Sequence, residues 1–195
     1  TAMYQSKDRG RNQFTFFADE MNRRALRRLE LETKLRQAIK RKQFRVYYQP
    51  RLDTQTLRIT GIEALTRWFD DSEGEIQPAD FIPLAEECGL ISQIDDWVME
   101  TACREIRQCF DDDVPDLILS LNFSTSQFIR KDLDTVIAGA LQRTSFPGTR
   151  LELEITENLF GPQTTNPHAL LNRIRGLGIE ISIDDFGKAY SSLSR

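Results

Sequence analysis

Leu151-Glu152-Leu153-Glu154-Ile155-Thr156-Glu157 is a run in which apolar and polar residues alternate without a break. Successive side chains of a β-strand point to opposite faces, so Leu151, Leu153 and Ile155 share one face and Glu152, Glu154 and Thr156 the other. The same parity separates Ser120, Asn122 and Ser124 from Leu119, Leu121 and Phe123. It separates Ser182 and Asp184 from Ile181 and Ile183, and Gly61, Glu63 and Arg67 from Ile62, Ala64 and Trp68. Parallel strands in an open sheet are usually apolar on both faces. A solvent-facing antiparallel sheet would alternate as these do, but the segments between the strands read as helices. A barrel reconciles the two, because its outer strand faces pack on helices while its inner faces point into a lumen.

Working outward, strands are predicted at Arg45–Gln49, Arg58–Trp68, Leu117–Ser124, Arg150–Glu157 and Glu180–Asp185, and helices at Pro78–Cys88, Asp95–Phe110, Leu133–Arg143 and His168–Leu177. Pro78 opens the first of these helices and Gly89 follows its end, as helix boundaries favour. Strands separated by helices of this length indicate a mostly parallel α/β sheet, either open and doubly wound or closed as a (β/α) barrel, and the parity favours the barrel. Asp19–Lys42 lacks Gly and Pro and spaces Met21, Leu26, Leu29, Leu35 and Ile39 among many charged residues, which predicts an amphipathic connector helix.

Charge narrows the partners. Residues 18–45 carry ten Lys or Arg against four Asp or Glu, whereas residues 46–195 carry thirteen against twenty-five, a net charge of −12. The larger segment is a poor match for a nucleic-acid polymer, whose binding rests on neutralising phosphates with basic groups. No apolar run approaches the roughly 20 residues of a membrane-spanning helix, and no leader-like segment opens the sequence, so a cytoplasmic location is expected. Cys88, Cys103 and Cys109 form no CxxC pair and have no histidine beside them, and read as reduced thiols. His168, after Pro167, reads as a surface residue at a helix start.

The chemistry lies on the polar faces. Glu63, Asn122, Glu154 and Asp184, each expected late in its strand, would converge at the carboxyl-terminal mouth of the barrel, with Asp185 just beyond in Ile181-Ser182-Ile183-Asp184-Asp185-Phe186-Gly187. Four carboxylates and an amide cannot share a small volume near neutral pH unless cations offset their repulsion. Oxygen donors alone point to magnesium or manganese, or to calcium as an unproductive substitute. Arg67, in phase with Glu63, supplies a fixed positive fork suited either to a structural ion pair or to a phosphate oxygen.

These residues resemble EAL domains, the cyclic-di-GMP phosphodiesterases of bacteria. The likeness runs through Tyr47-Tyr48-Gln49-Pro50, the Glu63-Ala64-Leu65 of GIEALTRW, PADFIPLAEECGLI at Pro78 to Ile91, LNFS at Leu121 to Ser124, LELEITE, and IDDFG with YSSLS. Residues 1–17, with Met3 to Lys7 and Gly10-Arg11-Asn12, look like the end of a GGDEF (diguanylate cyclase) domain, leaving 18–44 as connector and 45–195 as the amino-terminal part of an EAL domain. The resemblance implies a TIM-like barrel whose first strand is antiparallel to the rest, here truncated after about the fifth strand. It implies two-metal hydrolysis of cyclic-di-GMP to linear pGpG with Mg²⁺ or Mn²⁺. Glu63, Asn122, Glu154, Asp184 and Asp185 match metal ligands, Arg67 a phosphate contact, Gln49 a position lining the ligand cleft, and Glu157 the glutamate steadying the loop after Asp185. Lys188 stands in that loop where the family more often has small residues.

The family's later strands add a lysine, a glutamate and a glutamine that lie past Arg195, so the 195-residue chain alone is expected to be inactive. The activity is expected of an intact parent, which could be tethered to a membrane, carry an upstream GGDEF domain and pair as a homodimer. The competing expectation is a non-catalytic EAL domain that binds cyclic-di-GMP or a protein partner.

Overall fold

The computed structural model describes residues 19–110, 117–130, 132–156, 159 and 167–184. Strands and helices follow in the order α1 (Asp19–Arg41), β1 (Phe44–Leu52), β2 (Ile59–Asp70), β3 (Gly74–Ile76), α2 (Pro78–Glu87), α3 (Ile91–Cys109), β4 (Ile118–Phe123), α4 (Leu133–Thr144), β5 (Leu151–Thr156), α5 (Pro167–Arg175) and β6 (Glu180–Asp184). Short 3₁₀ turns at Thr125–Ile129 and Gly148–Arg150 flank α4. The sheet runs β1-β2-β4-β5-β6, with β3 paired to β2 off this path. β1 is antiparallel to β2, while β2, β4, β5 and β6 are mutually parallel. This is the α/β arrangement of a TIM-like barrel opened after its fifth path strand. No described helix is long and apolar enough to cross a membrane.

The parity holds. Ala64, Trp68, Leu119, Leu121, Phe123, Leu151, Leu153 and Ile155 are buried on the outer face, against helices that bury Ile94, Val98, Ala102, Ile137 and Ile174. Each such side chain contributes about 1.5–3 kcal/mol when removed from water. Trp68 anchors one end of this core, edge-on to Phe81 at 5.7 Å and 6.0 Å from Phe44. Its indole nitrogen is buried without a hydrogen-bond partner.

Several boundaries differ from the expectation, each for a local reason. β1 runs on to Leu52 because it pairs with β2 as far as Ile59, and β2 runs on to Asp70 because Phe69 and Asp70 pair with β3. β3 is too short to show alternation. Its turn forms because the Asp70 carboxylate accepts the amide hydrogens of Ser72 and Glu73, and Gly74 takes φ 77°. α3 begins at Ile91 because α2 ends in a tight cap at Gly89, φ 66°, where the Gly89 and Leu90 amides bond back to Glu86 and Ala85. On α1 the buried stripe is Leu31, Leu35 and Ala38, while Leu26 and Leu29 are 59% and 61% exposed. α1 is held to the β2–β3 turn by Arg27 and Lys34, both paired with Glu73. Cys88, Cys103 and Cys109 are free thiols, and His168 is exposed in the first turn of α5.

Gly61 sets the closeness of β2 and β4, since a Cβ there would lie 2.8 Å from the Ile118 carbonyl oxygen. Polar contacts pin the β4–α4 turn to α3: Ser124 Oγ donates to Asp95 at 2.8 Å, and Arg130 and Gln127 both donate to Asp96. Burial pushes the Asp95 carboxyl up to about 7, against the opposing hydrogen bonds from Ser124 and Gln127.

Two outcomes are expected. Gly61→Ala, which forces the β2–β4 ladder apart, should cost about 1–3 kcal/mol in urea denaturation, with no loss if the strands can shift freely. For Asp95, an unfolded aspartate titrates near ~3.9. The folded state therefore binds more protons between that value and about 7, and stability falls as pH rises through this window before levelling. Asp95→Asn should match the parent chain near the lower limit and exceed it by about 1–3 kcal/mol at alkaline pH, allowing for partial exposure. Parallel stability curves for the two proteins across the window would contradict this.

Candidate functional site

The inward positions of β2, β4, β5 and β6 are brought together by register and stagger. Glu63 lies level with Ser120, Asn122 with Glu154, Glu154 with Ser182 and Thr156 with Asp184. Following Glu63, Asn122, Glu154 and Asp184 across the sheet therefore climbs by two residues at the first and last steps. Strand tilt in a barrel produces such a stagger, which gathers residues of different ladder rungs into one layer across the lumen.

Asn122 Nδ2 donates to Glu63 Oε1 at 2.6 Å. Glu154 is raised above the ordinary glutamate range, first by burial and then by the like charge of Glu63, with Glu152 and Asp184 adding to it and Arg51 opposing. Asp184, exposed, is the last residue of β6. Gln49 on β1 is paired opposite Glu63 in the antiparallel register and so shares its face. Glu63 was expected late in its strand. It is late only in the ladder to β4, which ends one pair further at Ala64 and Leu121, while β2 itself continues to Asp70. Asp185, Glu157 and the loop carrying Lys188 lie outside the described residues.

Arg67 is partly buried; its Nη1 donates to the Thr66 carbonyl at 2.9 Å, its Nε lies 3.7 Å from Glu75, and its guanidinium rests 5.7 Å from the Tyr47 ring centroid. It is thus held in place yet borders a cleft of about 270 Å³ shared with Asn122, Glu154 and Ser124. A larger groove of about 730 Å³, between α1 and α2 and lined by Arg23, Arg27, Arg28 and Glu87, is remote from the carboxylates.

Sequence reasoning put Glu152 and Ser120 on the inward face but missed Arg51 and the layer it ties together directly beneath. Arg51 Nη1 reaches Ser120 Oγ, Glu152 Oε2 and, at 3.2 Å, Glu154 Oε1. Ser120 Oγ donates to Glu152 at 2.8 Å. Burial raises Glu152, but Ser182, Ser120 and Arg51 together more than reverse this and leave it below the ordinary range. The Ser182 hydroxyl makes no hydrogen bond of normal geometry, so its effect is that of a nearby dipole. Parity had already put Glu152 and Ser120 on the lumen face, and the two-residue step from Gln49 could have placed Arg51 there.

Among the described residues no three acidic, histidine or cysteine side chains are closed tightly enough to hold an ion as they stand. The donor set is nevertheless all oxygen, and the mutual repulsion acting on Glu154 is of the kind a hard divalent cation relieves. Asn122 would have to turn its amide to present oxygen, since its nitrogen now faces Glu63.

Residues 32–195 match the EAL domain family. The chain is 41% identical over 192 residues, 98% of its length, to the bifunctional diguanylate cyclase/cyclic di-GMP phosphodiesterase MucR of Pseudomonas aeruginosa. It is 35% identical over its whole length to the cyclic di-GMP phosphodiesterase PdeR of Escherichia coli. It spans 28% and 29% of those two relatives. A solved structure of the PaMucR phosphodiesterase in complex with c-di-GMP superposes with a TM-score of 0.79 at 39% identity, over 84% of this chain and 66% of that one. The antiparallel first strand, the staggered lumen layer and these likenesses place the chain in the EAL domain family.

Proposed function

We propose that the intact domain is a cyclic-di-GMP phosphodiesterase that opens the cyclic dinucleotide to linear pGpG with two divalent cations, Mg²⁺ or Mn²⁺. The observation that carries this reading is the layer in which Glu63 meets Asn122 and Glu154 is pressed by Glu63 and Asp184. Its support from relatives is that MucR and PdeR are described as cyclic di-GMP phosphodiesterases.

In this reading Glu63, Asn122, Glu154, Asp184 and Asp185 hold the cations. When bound, such ions supply Lewis acidity toward the phosphodiester and acidify a water. Gln49 and Arg67 bind and orient the substrate, with Arg67 presenting its fork to a phosphate oxygen from a mount fixed by Thr66, Glu75 and Tyr47. Glu157 steadies the loop that follows Asp185. Residues 1–17 end a GGDEF domain and residues 18–44 connect it to the barrel, a reading supported by the near-complete match to a bifunctional relative.

The test is pGpG formation from cyclic-di-GMP by the intact parent with Mn²⁺ or Mg²⁺. Glu63→Gln should lower kcat by at least about 10²-fold, the scale of a lost transition-state electrostatic contact. Arg67→Ala should raise KM by about tenfold, or ~1.4 kcal/mol of ground-state binding. Tight binding of cyclic-di-GMP with no turnover by the parent would instead establish a receptor.

A further inference from the structure

We infer that Arg51 is a resident counter-ion of the cation site, holding one oxygen of Glu154 and competing with a divalent cation for it. This rests on the reading of Glu154 as a cation ligand. Arg51 stands opposite Gly61 in the β1–β2 register, so no side chain lies between it and β4. Its Nη1 passes over β2 to contact Ser120, Glu152 and Glu154 together. Ser120 is fully buried and Glu152 is 8% exposed, which makes them an anchor. Glu154 takes the same nitrogen at 3.2 Å from the layer above.

A cation approaching Glu154 must displace that contact or accept a fixed positive charge beside it, and either lowers its affinity. Glu152 acts in the opposite sense, because its charge draws the guanidinium down and away from the upper layer. Removing Arg51 therefore favours the cation, and removing the charge of Glu152 disfavours it. An ion pair serving only to hold strands together would lower stability in both variants and would not move cation affinity in opposed directions.

The experiment is Mn²⁺ binding, followed by electron paramagnetic resonance on metal-free protein. Arg51→Gln should bind Mn²⁺ about tenfold more tightly and Glu152→Gln about tenfold more weakly, the scale of one partly exposed charge at short range. Arg45→Gln is the charge-matched control: Arg45 is on the same strand but lies over the Phe69 ring at 4.6 Å, and its loss should leave the affinity unchanged. If Arg51→Gln does not fold, Glu152→Gln decides. Wild-type binding with unchanged or weakened affinity in Arg51→Gln, or with unchanged or tightened affinity in Glu152→Gln, overturns the inference and leaves the cation site standing. No Mn²⁺ binding by the wild-type protein overturns both.

Discussion

A carboxylate carried into a barrel lumen must be met by positive charge or by hydrogen-bond donors, because the cost of desolvating it otherwise reaches several kcal/mol. That constraint organises the polar interior of this protein. In the lower layer, Glu152 is met by Arg51 and Ser120, and its carboxyl stays below the usual range despite burial. In the upper layer, Glu63 receives one hydrogen bond from Asn122, and Glu154 shares Arg51 with Glu152. Among the described contacts, the first layer is the more fully compensated, and the second shares its one guanidinium with it.

The backbone makes this division possible. Parallel strands joined by helices bury every outward aliphatic residue, which fixes register, since a slip by one residue would turn the carboxylates outward and the leucines inward. Close approach at Gly61 keeps β2 against β4, and the same position gives Arg51 its passage. β1 adds to this by running antiparallel, so that residues late in the strand, Gln49 and Arg51, which a parallel strand would carry up to the mouth, sit opposite Glu63 and Gly61. One reversed strand thus delivers both a neutral cleft residue and a fixed cation to the site.

Much of this was legible in the sequence because strand parity is a strict period of two. Leu151 to Thr156 announced which residues point inward, and helices between strands implied that inward meant a lumen. The β3 hairpin was not legible, since three residues show no period and the signal lay in Asp70 acting on its own turn. The start of α3 at Ile91 was hidden by a helix cap immediately before it. On α1, Leu26 and Leu29 suggested a stripe that the tighter Leu31, Leu35 and Ala38 spacing displaced. The Arg51 contacts join positions 69 to 103 residues apart in sequence, and no local pattern encodes a reach of that kind.

The two layers also explain how an acidic site can exist before a cation reaches it. Unscreened, three carboxylates in the upper layer would oppose folding, yet Glu63 shows a short amide contact and Glu154 keeps part of a guanidinium. Asp184 stands exposed at the end of β6. Among the described contacts compensation is therefore graded, fuller at Glu152 than at Glu154. The more exposed end of this acidic layer, at Asp184, faces the mouth, where a phosphodiester accompanied by cations would arrive.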